Sequence, residues 1–217
     1  MSIHDNYLSM LRESLPEYVR LARVGIAFEK DNGGVLGYPS ATLLLAVVDI
    51  VGSHLRKRQG IEPHTVVVPG TAKPQAIKNK GDHFLALNST YFGYAFTQEQ
   101  IDKLYELSRC PLTHSGLLGP GRISIDDPIP GGIDFRADGV HIYLPEFLAR
   151  CKQAVERFLA DAEKLVSESA AASDLELKLR AAAVADAIEE QKANPSARKW
   201  VVQSAQASGM ATPRRDS

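Results

Sequence analysis

The stretch from Tyr38 to Arg58 constrains the fold more than any other. Its middle, Leu43 to Gly52, reads LLLAVVDIVG and is apolar nearly all round. A helix apolar on every side has no face for water, so it belongs at the centre of a bundle. The unbroken apolar run, Leu43 to Val48, is closed by Asp49 and is too short to span a bilayer. Tyr38-Pro39-Ser40 starts this helix. Arg56, Lys57 and Arg58 suit its end, where cations oppose the dipole, and Gly60 stops it. The polar residues Asp49 and His54 interrupt it; His54 is placed at the helix edge.

Amphipathic segments surround that core helix. Tyr7 to Phe28 reads as helix, with a restart at Ser14-Leu15-Pro16-Glu17, where Ser14 caps and Pro16 enters the first turn. Leu15, Val19, Ala22 and Ile26 share one face. Asp82 to Phe92 reads as a short helix, and Val66 to Val68 as a strand or, given the nearby prolines, a loop. Thr97 and Gln100 form a capping box for a helix reaching Arg109. Leu144 to Val166 carries an apolar stripe through Phe147, Cys151, Val155, Phe158, Ala162 and Leu165 and reads as one helix.

Between the last two helices, three prolines and five glycines from Gly116 to Gly132 exclude helix. Ile133-Asp-Phe-Arg136 and Val140-His-Ile-Tyr143 flank Ala137-Asp138-Gly139, a hairpin signal. Arg122 to Ile125 alternates like a further short strand. The predicted fold is mainly α: a helical bundle over 1–167 with a small β-hairpin at about 121–143. A linker leads to a C-terminal helix over 173–194 and a flexible tail over 195–217.

Lys and Arg number 25 against 26 Asp and Glu. That balance excludes a global basic field that would capture nucleic acid, while leaving room for a local basic cleft. Two cysteines, Cys110 and Cys151, make no disulfide framework and no zinc-binding pair. Neither a metal nor a cofactor is expected. No signal-like segment is read at the N-terminus, so the expected compartment is the cytoplasm, without a membrane partner.

The segment that carries chemistry is Leu104-Tyr-Glu-Leu-Ser-Arg109-Cys-Pro-Leu-Thr-His114. An imidazole can move the proton of an RNA 2′-hydroxyl or of the leaving 5′-oxygen. A guanidinium can hold the phosphate as its charge grows. With 14 Arg and 6 His, such a spacing should occur about once by chance. It occurs three times, the others being Arg136 to His141 and Arg58 to His64. The former brackets the Asp-Gly turn and reads as a solvated hairpin pair. The latter spans the Gly60 break and reads as dipole compensation. Only Arg109 and His114 follow a helix and meet a bend, at Pro111. Read from spacing alone, Arg109 is instead an ion-paired helix end and His114 an ordinary partly buried histidine.

Asp49 is a carboxylate in an apolar helix and needs a partner. Arg109 or His114 would serve, and Asp49 would then support the catalytic pair. The alternative is the Ser53 hydroxyl or a backbone amide.

This arrangement resembles the HEPN (higher eukaryotes and prokaryotes nucleotide-binding) superfamily and its Arg-x4–6-His motif. The resemblance spans about Tyr38 to Val166, with the motif helix between a core helix and a long helix. It implies a metal-independent ribonuclease of toxin–antitoxin or antiviral type that works as a homodimer. Arg109 would bind the scissile phosphate and His114 would act as general acid/base. RNA, and an antitoxin or operon partner, are the implied partners. Cys110 stands where the family usually has a polar residue, and the β-hairpin lies outside the minimal bundle. Three functions therefore stay open: ribonuclease, inactive RNA- or protein-binding module of the same type, and helical interaction protein.

Overall fold

The computed structural model describes residues 3–31, 33–106, 112, 119–175, 177–178 and 182. The fold is mainly α. Helix α1 spans Ile3–Ala27 and α2 spans Gly37–Leu55. Two-residue strands β1, Thr65–Val66, and β2, Gln75–Ala76, pair antiparallel. A 3-10 helix covers Lys80–Asn88 and α3 covers Gln98–Leu104. Strands β3 (Gly121–Ser124), β4 (Ile133–Arg136) and β5 (Gly139–Tyr143) precede α4 (Leu144–Ala160) and α5 (Ala162–Glu168). The chain divides into units Met1–Ser173 and Asp174–Ser217. Of the predicted C-terminal helix, residues 173–175, 177, 178 and 182 are described and are helical. The predicted tail, 195–217, lies outside the described residues.

Helix α2 is the core, as its composition requires. Leu44, Val47, Val48, Val51 and Leu55 are fully buried, each stabilising the fold by about 1.5–3 kcal/mol through lost apolar exposure. α1, the 3-10 helix and α4 pack around it. Ser40 Oγ shares its one proton between the Ala22 carbonyl of α1 (3.0 Å), which ties the two helices, and the Leu36 carbonyl just before α2 (2.8 Å). The helix ends at Leu55, so the basic triplet Arg56-Lys57-Arg58 lies just beyond it. By length and composition α2 could also cross a membrane, more than its short apolar run suggested, yet 56% of its most apolar window is buried inside the chain.

Two helix boundaries differ from expectation. α1 does not restart at Ser14; it runs through Pro16. An interior proline costs about 3 kcal/mol, and burial of Leu8, Leu11, Leu15 and Ala22 along one face offsets it. The predicted helix Leu144 to Val166 breaks at Asp161, which has φ −99° and ψ 2°. The Asp161 carboxylate accepts from the Tyr91 hydroxyl at 3.0 Å. The small-residue linker expected after Ser167 is also partly structured. Ser169 pairs with Lys57, and residues 170–175 are helical.

The hairpin forms over β4 and β5, and a third strand joins it. β3 lies parallel to β5 (Arg122 opposite His141), giving the order β3-β5-β4. Gly139 is required at the turn: its φ is +131°, and a Cβ there would meet the Pro120 carbonyl oxygen at 2.0 Å.

Candidate functional site

Arg109, Cys110 and His114 lie outside the described residues, so the site is built from what flanks them. Thr97 caps α3 as its sequence predicts: Gln100 N donates to Thr97 Oγ1 at 3.3 Å, and Thr97 N to Gln100 Oε1 at 2.9 Å. α3 buries Ile101 and Leu104, and the backbone turns π-helical at Tyr105 and Glu106. The Tyr105 ring meets Phe84 of the 3-10 helix edge-on, with centroids 5.3 Å apart. Leu112, between the two motif residues in sequence, is buried in the core.

Asp49 sits one turn before the C-terminal turns of α2, and His83 sits beside Phe84. His83 Nδ1 lies 2.9 Å from Asp49 Oδ1. A carboxylate accepts, so Nδ1 carries the proton. The side chains keep 10% (His83) and 27% (Asp49) exposure. His83 Nε2 is buried and has no hydrogen-bond partner. Gly52 makes this approach fit: a Cβ there would stand 2.1 Å from the His83 carbonyl oxygen. The sequence offered Arg109, His114, the Ser53 hydroxyl or a backbone amide as partners for Asp49 and did not point to His83. Ser53 donates to the Ile50 carbonyl at 2.7 Å.

His54, expected at the helix edge, is buried. Its Nδ1 donates to the Ile50 carbonyl at 2.7 Å, which leaves Nε2 to accept from the Tyr7 hydroxyl at 2.8 Å. Burial lowers the His54 pKa and outweighs the carbonyl bond that raises it; proximity of His83 lowers it further. Burial raises the pKa of Tyr7. This is a neutral structural histidine between α1 and α2.

The Arg136–His141 spacing resolves into two separate local pairs. Arg136 bonds Asp134 at 2.8 Å and approaches Asp127 at 3.5 Å. His141 Nε2 bonds Asp138 at 2.9 Å, and its ring is buried instead of solvated. His64 borders a polar cleft of about 490 Å³ with Lys57, Glu62, Tyr91, Asp161 and Glu168. Lys57 there holds Glu168 at 2.7 Å. Burial, then the Lys57 charge, lowers the His64 pKa.

Cys151 is buried, which pushes its thiol pKa well up and leaves it unreactive. Among the described residues, no group of three or more His, Cys, Asp or Glu could hold a metal ion. Large apolar side chains remain exposed at Met10, Leu21 and Val24 on α1 and at Phe28 just after it, whereas the apolar side chains of α2 are largely spent on the core. No protein-family model, curated protein or solved structure matches this chain.

Proposed function

We propose that this chain is a metal-independent endoribonuclease of the HEPN type, acting in the cytoplasm as a toxin or antiviral defence component. His114 takes the proton of the RNA 2′-hydroxyl, whose oxygen attacks the adjacent phosphorus. The bond to the 5′-oxygen breaks, and a protonated imidazole returns a proton to that oxygen. Arg109 holds the phosphate as its charge grows. Two protomers contribute their motifs to one cleft, and an antitoxin encoded nearby would cover it.

The observation that supports this reading best is the anchoring around the motif. Tyr105 before it packs edge-on against Phe84, and Leu112 within it is buried in the core. The neighbouring His83 is already oriented by Asp49. A site that must hold a phosphate to within a fraction of an ångström needs such rigid surroundings. Asp49 then supports the site through His83.

The test is cleavage of labelled single-stranded RNA in EDTA. Products should carry a 2′,3′-cyclic phosphate and a 5′-hydroxyl, and DNA should stay intact because it lacks the 2′-hydroxyl. Arg109→Ala should lower the rate on the order of 10² or more. Cleavage lost in EDTA, or kept in Arg109→Ala, would contradict the reading. Cys110 beside Arg109 favours a second reading, an inactive RNA-binding module, which binding without cleavage would select.

A further inference from the structure

A groove of about 510 Å³ runs between α1 and α4. Val19 and Leu148, which pack on the core, and the buried Val155 form its floor, so the floor is both apolar and rigid. Four charged side chains border it: Arg20, Arg23, Lys152 and Glu156. Lys152 and Glu156 approach each other at 3.9 Å and largely cancel. Arg20 and Arg23 are exposed, and no acidic side chain lies within salt-bridge reach of either among the described residues. The groove therefore pairs an apolar floor with two uncompensated guanidinium groups.

We propose that this groove docks an acidic amphipathic helix of a partner protein. Two parallel ridges of helix side chains leave a channel that accepts the ridge of a third helix. Aliphatic side chains of the partner would cover Val19, Leu148 and Val155. Carboxylates flanking that stripe would meet Arg20 and Arg23, whose planar donors bind carboxylates in pairs. RNA fits less well, because the lining offers no aromatic ring for a base to stack on. This docking is independent of the ribonuclease reading, and its test does not use cleavage.

The probe is a short fluorescein-labelled synthetic helix with Leu along one face and Glu on both flanks. Its twin carries Lys in place of Glu. Fluorescence anisotropy should show the Glu peptide binding the full chain and the Lys peptide failing. The double variant Arg20→Glu, Arg23→Glu should weaken the Glu peptide by at least about tenfold and gain the Lys peptide. Both positions are exposed, so its thermal melt should match the parent. Leu148→Glu should remove binding of the Glu peptide. Equal binding of both peptides by the parent chain, or undiminished binding of the Glu peptide by the double variant, would overturn the proposal. So would a parent dimer that the double variant splits in sedimentation equilibrium, because the groove would then seat a second copy. An oligouridine that binds the groove in place of the peptide would overturn it as well.

Discussion

Two histidines hold a carboxylate at the same 2.9 Å, and the two pairs do different work. His83 reaches Asp49 across 34 positions of sequence, joining the 3-10 helix to the core helix. His141 reaches Asp138 across three, closing the β4–β5 turn. Each has its other ring nitrogen buried without a partner, Nε2 in His83 and Nδ1 in His141. The carboxylates differ: the Asp49 side chain is 27% exposed and that of Asp138 is 71% exposed. Equal bond lengths therefore hide unequal consequences. Water can replace Asp138 at the turn, whereas Asp49 is held in place by packing.

The largest effect should come from the backbone beneath the long-range pair. Gly52→Val would drive a side chain into the His83 carbonyl, 2.1 Å from the nearest Cβ position. Neither backbone can yield without moving a whole element, so the loss should be on the order of 3 kcal/mol or more. A urea melt reads it, and an unchanged midpoint would show that the close approach does not exist in solution.

Next in size is removal of the carboxylate. Asp49→Ala leaves the buried Nδ1 donor of His83 unpaired and should cost about 1–3 kcal/mol. Asp138→Ala should move the melt less, because the Asp138 carboxylate is 71% exposed and joins positions only three apart in sequence. A double-mutant cycle with His83→Ala should return most of the Asp49 loss as coupling. Equal losses for the two aspartates would erase the distinction between the pairs.

A smaller effect separates the same regions by pH. His54 is held neutral between α1 and α2, with its pKa lowered chiefly by burial. Its contribution is therefore complete above the unfolded value near about 6.5 and is lost as pH falls below it. Asp138 has its pKa lowered mainly by the hydrogen bond from His141. The hairpin contribution survives until pH falls below the ordinary carboxylate range, about 4. Urea melts from about pH 7.5 down to about 5.5 should thus weaken the parent chain more than His54→Gln. An identical slope in both would place the proton uptake elsewhere.

What could be read in the sequence was local. The apolar girth of Leu43 to Gly52, the Thr97 capping box and the Asp138-Gly139 turn each act within a few residues, and all three appear in the structure. Pro16 and Asp161 misled because packing overrides propensity. α1 continues through its proline to bury one face, and α4 stops where Asp161 can take the Tyr91 proton donor. The Asp49–His83 pair had no local signal. Asp49 announced the need for a partner, but nothing in its neighbourhood names a histidine on a separate 3-10 helix. The parallel pairing of β3 with β5 was hidden for the same reason.

The proton shuttle is where the comparison bears on function, since His114 and His141 share the same spacing from an arginine. Single-turnover cleavage of a single-stranded RNA in EDTA separates them. The parent chain and His141→Ala should cut at similar rates and leave a 2′,3′-cyclic phosphate, while His114→Ala should be slower on the order of 10² or more. Cleavage by His114→Ala at the parent rate, or its loss in His141→Ala, would contradict the assignment.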